Sequence, residues 1–513
     1  MAFSSGPLPG IFRATMTTLV KHRLSSITLA LGLVCSAAAC DSGETDKKDA
    51  KSDDKSDEKG DDKADDKKAG DTDEKAGDTD EKKAGDTDEK TGETDTKPAP
   101  GGTVLAPGEA GPAYFAINMK GIAKLDESGW SMIQADENKL ISDMFIGPDG
   151  AVYVLDYQGL HKINGDKLEK VLEFGYKDIG SVSNLGMVKG GDLWATNYKG
   201  VGHYTGGKWT LTEKDKIGDD GIDMLTGVAV GSDGVPLISG SKVILKLDGD
   251  KWNKVDLSAL GENPYIFRLA ASTTGEVFGQ TSRELVKLSG EKAELIEINS
   301  KNFMGYGAAM EFGPTGEVAV SSSLCDLARL DPAKPDDVWL LSKDDLDCLS
   351  FQALSIDGQS RVWISSREGL SIVGPDKNPT EYPTGTVMEL VGNVSKMVVV
   401  GKGPNLPAVP AAHTGGVTGK VLQDGSAIAG AKIEMCTSPQ IFGSGSPCSS
   451  AKTKFSGTTT DKGEFTFEKV PLGDYNVAVE IDGKWRSNYI PSFATKMKEG
   501  ATYDVGAVTY SKM

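Results

Sequence analysis

Gly150-Ala-Val-Tyr-Val-Leu155 is a turn glycine followed by a short apolar strand, and its pattern recurs along the middle of the chain. The other copies read Gly111-Pro-Ala-Tyr-Phe-Ala116, Gly191-Asp-Leu-Trp-Ala-Thr196, Gly234-Val-Pro-Leu-Ile-Ser239, Gly275-Glu-Val-Phe-Gly-Gln280, Gly316-Glu-Val-Ala-Val-Ser321 and Ser360-Arg-Val-Trp-Ile-Ser365. Spacings between the seven copies are 39, 41, 43, 41, 41 and 44 residues. That is the length of one four-stranded blade of a β-propeller, about 40 to 50 residues.

A further strand after each copy fixes the register. It reads Ala123-Lys-Leu-Asp126, His161-Lys-Ile-Asn164, Leu245-Lys-Leu-Asp248, Val286-Lys-Leu-Ser289 and Ala328-Arg-Leu-Asp331. Apolar and charged side chains alternate, as a strand with one buried and one wet face requires. The segments at residues 191–201 and 361–370 resemble the repeats of two-component-regulator-type (WD/YVTN-like) propellers, where a Gly-x-Leu-Trp-Ile-Gly-Thr strand leads into Gly-Leu. The resemblance covers residues 104–403 and implies a ligand- or partner-sensing ectodomain; no kinase follows in this chain. A ring must close or expose sheet edges. The first copy lacks the inner strand that precedes the others, and either residues 386–391 or residues 396–400 can supply it. Seven blades are expected, with six or eight left open.

Residues 404–414 form a Pro-rich hinge, after which the pattern changes. Gly416-Val-Thr-Gly-Lys-Val421, Ile428-Ala-Gly-Ala-Lys-Ile433, Thr459-Thr-Asp-Lys-Gly-Glu-Phe465 and Pro471-Leu-Gly-Asp-Tyr475 occur in that order. Asp461-Lys462-Gly463 is a hairpin turn between alternating strands. The motif order resembles the carboxypeptidase regulatory-like, transthyretin-related domain, which implies a β-sandwich over residues 415–513 serving as a stalk or adhesive module. The expected fold class is therefore all-β: a seven-bladed propeller followed by a small sandwich.

Upstream of the repeats, residues 1–39 read as an export signal. Lys21, His22 and Arg23 form a positive patch before the apolar run 24–34, and Met16 is an alternative start to Met1. The run is shorter than the roughly 20 apolar residues that span a bilayer. Ser36-Ala37-Ala38-Ala39-Cys40 resembles the lipobox of bacterial lipoproteins, which implies that Cys40 carries the lipid; an ordinary signal cleaved after Ala39 is the alternative. The expected location is the bacterial cell envelope, periplasmic or surface-exposed. Residues 40–103 are almost purely Asp, Glu, Lys, Gly, Thr, Ser and Ala, with Ala-Gly-Asp-Thr-Asp-Glu-Lys starting at Ala69, Ala76 and Ala84. Without apolar side chains to offset ordering entropy, this is a disordered tether. It holds 23 acids and 13 lysines between Asp41 and Lys97, a net of −10 out of −19 for the chain. A coil of some 60 residues spans roughly 45 Å. The acidic balance excludes a nucleic-acid partner. No twelve-residue loop with a central Gly and a terminal Glu is present, so no cofactor is expected, with a structural Ca2+ left open.

Once Cys35 is removed with the signal and Cys40 acylated, four cysteines remain. Three connectivities are possible, and the most local pairs Cys325 with Cys348 and Cys436 with Cys448. No Gly-x-Ser-x-Gly, His-Glu-x-x-His or phosphate-cradling loop occurs. His161 reads as a buried or satisfied side chain and His203 as a wet strand position. A ligand site, where one exists, belongs at the mouth of the central channel. Counting seven residues back from each turn glycine gives the polar Asp143, Asn184 and Arg268, with Tyr306 and Gln352 near the equivalent slots. The expected function is a lipid-anchored, monomeric binding or scaffold protein for an envelope protein, peptide or glycan. The alternative is a propeller lyase or hydrolase with its site at that mouth.

Overall fold

The computed structural model of the chain describes residues 105–511, apart from 107, 136–139, 175–178, 219–221, 223, 262–263, 282–283, 298–306, 323–325, 335–336, 343–344, 347–350, 440–444 and 491–492. The signal, the tether, Cys40, Cys325, Cys348 and Tyr306 lie outside the described residues.

Seven four-stranded antiparallel sheets follow one another, six of them meanders whose strands pair in sequence order and one completed by a strand from the far end of the repeats. They form the blades of a propeller. The quoted copies are the second strands, such as Val152–Asp156 in blade 2 and Val362–Ser366 in blade 7. These strands are apolar throughout because both faces are covered. Val152 and Val154 pack with Tyr114, Ala116 and Val398 of blade 1, while Tyr153 and Leu155 pack with Leu193 and Ala195 of blade 3. Each fully buried side chain of this kind contributes about 1.5–3 kcal/mol.

Blade 1 closes the ring. Its inner strand, Val394–Val399, comes from the far end of the repeats and pairs antiparallel with Ala113–Ile117, from Ala113 opposite Val399 to Ile117 opposite Val394. The other candidate, residues 386–391, holds the 3-10 turn Met388–Leu390 instead. Lys120, at the tip of a blade 1 hairpin, clasps that turn by donating to the carbonyls of Met388 and Val391. Burial pulls its amine down to about 8 against the opposing pull of Glu389.

Three lysines and a histidine of the third strands are largely buried and meet an acid from the turn joining the first two strands of their own blade, whereas Lys124 pairs with Asp126 and Asp166 and Arg329 donates to the Ser360 carbonyl. Lys162 lies 2.9 Å from Asp149, Lys246 3.5 Å from Asp233, Lys287 2.5 Å from Glu276, and His203 3.7 Å from Asp192. His203 also stacks on Trp194, with centroids 3.9 Å apart. A blade is covered on both faces, so alternation here marks a neutralised pair rather than a solvated face. Blade 7 develops the pattern furthest: the fully buried Asp357 accepts from the backbone N–H groups of Gln359 and Arg361, from Arg361 Nε and from Trp363 Nε1.

Beyond the ring, two sheets pack face to face as a sandwich. One holds Thr414–Gln423 between Glu464–Pro471 and Thr502–Tyr510, the last pairing in parallel; the other runs from Lys454–Thr458 through Lys432–Cys436 and Asn476–Ile481 to Lys484–Tyr489. Val417, Ile433, Phe465, Tyr475, Val477 and Phe493 fill the space between them. Cys436 and Cys448 are bonded as a disulfide. Residues 404–414 read as a hinge in the sequence; of these, 404–413 are a strap tied along blade 7. Arg361 donates to the Pro404 carbonyl, Tyr382 to that of Pro407 at 2.6 Å, and the His413 N–H to that of Gly385 at 2.8 Å. Val391 of the ring joins the sandwich core, and Lys452 pairs with Glu381 at 2.8 Å.

Candidate functional site

Strand direction gives the ring two distinct ends. Hairpins between second and third strands, and the connections from one blade to the next, gather at what we call the upper end. Turns between first and second and between third and fourth strands gather at the lower end. The inner strands run between them and line the channel.

Four of the five channel residues singled out in the sequence lie on these inner strands. Asp143 stands opposite Leu155, Asn184 opposite Thr196 and Arg268 opposite Gln280, all at one equivalent level. Asn184 Nδ2 lies 3.5 Å from Thr196 Oγ1. In blade 7 the equivalent residue is Ala353; Gln352 sits beside it at a register shift and accepts from Ser365 Oγ at 3.3 Å. Asn184 and Gln352 thus satisfy neighbours within their own blades.

Asp143 and Arg268 belong to a charge cluster that the sequence count missed in part. Lys396 is the blade 1 equivalent of Asp143, standing opposite Ala116, and its amine lies 3.0 Å from the Asp143 carboxylate. Arg268 lies 3.7 Å from Glu311, on the inner strand Gly307–Phe312 of blade 6. Enclosure by the strands pushes the Glu311 carboxyl up to about 7. Lys396 and Arg268 draw it down, Asp143 adds to the rise, and desolvation prevails. The Glu311 side chain keeps 37% of its surface open to solvent. Near neutral pH this group is a proton acceptor and donor inside the ring. Lys396 carried a signal that counting back from a turn glycine cannot reach, because its strand arrives some 280 residues late.

His161 is buried, with Nε2 3.0 Å from Asp156, whose other oxygen accepts the backbone N–H groups of Gln158 and Gly159. Among the described residues, no group of three or more His, Cys, Asp or Glu is placed to hold a metal.

At the upper end, a crevice between blade 7, the 388–390 turn and the sandwich is lined by Gln352, Ser365, Arg367, Leu390 and Asp474. Around the rest of that end stand exposed apolar side chains. Among the described residues ten large hydrophobics are exposed, and seven are here: Met119, Tyr157 and Tyr198 on hairpin tips, and Leu140, Met224, Tyr265 and Met388 on connections. Tyr198 is 70% exposed and Tyr157 59%.

No protein-family model matches the sequence, and no curated protein matches it. Among solved structures the chain is similar to a streptogramin B lyase, at 13% identity and a TM-score of 0.37 over 47% of this chain and 82% of that one. It is similar to the extracellular domain of a hybrid two-component system from B. thetaiotaomicron, at 14% and 0.41 over 75% and 53%. YCF48 bound to a D1 peptide is a third, at 16% and 0.34 over 46% and 77%. At such identities and scores these likenesses carry nothing about what this chain does. Apart from them, the seven closed blades establish the fold as a β-propeller with repeated sheets.

Proposed function

We propose that this chain is an exported, lipid-anchored recognition protein of the bacterial envelope, held by Cys40 and presenting the upper end of its propeller to a partner. The observation that carries the reading is the inequality of the two ends. The described chain begins at the lower end, where Leu105 packs by Gly111 and the Lys402 N–H bonds to the Glu109 carbonyl. Exposed apolar side chains collect at the opposite end. The sandwich, which resembles a carboxypeptidase regulatory-like domain, serves as a fixed extension beside blade 7 rather than a swinging arm, because the strap and Val391 bind it to the ring. Exposed apolar clusters on soluble proteins mark interaction sites.

The test compares membrane and soluble fractions of cells carrying the full chain with those carrying Cys40→Ser. Release of the variant into the soluble fraction is expected; equal membrane retention overturns the anchor. Photo-crosslinkers at Tyr198 and at the lower-end Asp250 then read the presented face in the envelope. Adducts are expected at Tyr198, and adducts confined to Asp250 overturn the orientation.

A further inference from the structure

We infer that the central channel binds an α-amino acid, its carboxylate held by Arg268 and its ammonium by Glu311. This goes beyond the recognition reading above, which concerns the outer surface of the upper end.

The channel stays open around four charged side chains. Asp143, Lys396, Arg268 and Glu311 come from the inner strands of blades 2, 1, 5 and 6, and each keeps between 23% and 37% of its surface exposed. Asp143, Lys396 and Arg268 share one level of the ring, at which blades 6 and 7 place Ala309 and Ala353. On the arc from Arg268 round to Lys396, then, the inner strands carry nothing longer than a methyl at that level.

Unfinished bonding collects on the same arc. Asp143 and Lys396 are 3.0 Å apart and satisfy each other, whereas Arg268 and Glu311 stand 3.7 Å apart, too far for a hydrogen bond. One strand further out, the residue opposite the channel position is a buried polar one in five successive blades: Thr196, Ser239, Gln280, Ser321 and Ser365. In blades 3, 4 and 7 the inner strand supplies its partner, from Asn184, Thr226 and Gln352. In blades 5 and 6 it does not. Both polar atoms of the Gln280 side chain, and the Ser321 hydroxyl, have no hydrogen-bond partner among the described residues. Gln280 is 2% exposed and stands opposite Arg268, on the face of blade 5 where Ala270 and Phe278 pack on Met310 and Val320 of blade 6. Orphaned polar groups at such depth are rare and call for a bound polar molecule.

Charge selects its class. A carboxylate fits the planar fork of Arg268, but alone it would stand against Glu311. A lone cation would stand against Arg268. A molecule with both signs on neighbouring groups gives Arg268 and Glu311 a hydrogen bond each and adds no net charge to the channel. An α-amino acid has that spacing. Its ammonium also offsets the enclosure that pushes the Glu311 carboxyl up to about 7. Gln280 can donate to the carboxylate through Nε2 or accept from the ammonium through Oε1.

The full-length protein is screened by thermal unfolding against the twenty common L-α-amino acids. The one that raises the midpoint most is titrated by calorimetry beside two analogues, one lacking its amine and one its carboxylate. Binding of one amino acid per chain is expected, with each analogue at least roughly tenfold weaker because it leaves one charge of the pair unmet. Arg268→Lys and Gln280→Met should each weaken binding at least roughly tenfold. Gln280→Met should do so without lowering the midpoint of the unliganded chain, since an apolar side chain replaces an orphaned amide. In Glu311→Gln the discrimination against the amine-free analogue should collapse. Asp250→Asn, on a lower hairpin, should change binding less than twofold. No shift with any amino acid means that water alone meets these groups, and it overturns the inference. Binding unchanged in Arg268→Lys and Gln280→Met overturns the site. An amine-free analogue that binds as tightly as the amino acid overturns the ligand class.

Discussion

Replacing Glu311 by Gln tests the electrostatics of the channel directly. The Glu311 carboxyl titrates at about 7 in the folded ring against an ordinary 4.5. The folded chain therefore holds a proton that the unfolded chain releases between those two values, and stability falls as pH rises through that window. Below about pH 4.5 the group contributes nothing; above about 7 the full penalty remains. At 1.36 kcal/mol per pH unit the gap is worth about 3.4 kcal/mol. With 37% of the side chain open to solvent, screening leaves roughly 1–2 kcal/mol of it. Glu311→Gln has no such proton to lose. It should be more stable than the parent by roughly 1–2 kcal/mol at pH 8, with the advantage shrinking towards zero at pH 4.5. The groups sharing the channel, Asp143, Lys396 and Arg268, are present in both proteins, and their coupling to Glu311 is part of the difference that is measured. Urea unfolding followed by tryptophan fluorescence at pH 4.5, 6 and 8 gives that difference. A stability gap that is flat with pH, or largest at pH 4.5, refutes the reasoning.

Asp357→Ala should be among the most damaging single changes in the ring. It leaves the Arg361 guanidinium and the buried Trp363 N–H without their shared carboxylate, at a cost of about 3–5 kcal/mol read from the urea midpoint. A loss below about 1 kcal/mol shows that water replaces the acid. Gly385→Ala should loosen the sandwich from the ring. Gly385 has φ of +81°, and a Cβ there falls 2.9 Å from the Leu472 nitrogen and 2.9 Å from Pro471 Cβ. Limited proteolysis within 404–413 should quicken severalfold; an unchanged cleavage rate means that the contact is dispensable.

The blades were legible because a four-stranded unit writes one turn glycine, replaced by Ser360 in the seventh copy, and one doubly buried strand into every repeat. That combination survives where the repeat is degenerate: Gly316-Glu-Val-Ala-Val-Ser321 lacks an aromatic, yet Val318, Ala319 and Val320 are all fully buried. The third strands misled for a related reason. Lys162 and Lys246 alternate with apolar residues as a solvated strand would, but their charges are met by Asp149 and Asp233 from another part of the blade. Periodicity reports what a face is chemically, and it does not report whether water or a turn carboxylate satisfies it. The strap misled in the opposite sense. Prolines at 404, 407 and 410 read as a hinge, whereas a proline segment also presents carbonyls at fixed spacing, and Arg361 and Tyr382 take two of them.

The channel cluster shows where sequence order stops helping. Asp143 and Arg268 could be found by counting within a blade, since each keeps its place relative to its own turn glycine. Their partners are not set by that count. Lys396 reaches Asp143 only because the last strand of the ring completes the first blade, and Glu311 feels Lys396, Arg268 and Asp143 together only because four inner strands converge on one channel. A closed ring brings its two ends of sequence side by side and folds every blade's inner strand onto one axis. Chemistry built on that axis is therefore assembled by closure, and it becomes readable only when the closing strand has been assigned. The exposed upper end depends on closure as well. Its hairpin tips are local, but they share one end of the molecule because all seven blades run in the same direction around the ring.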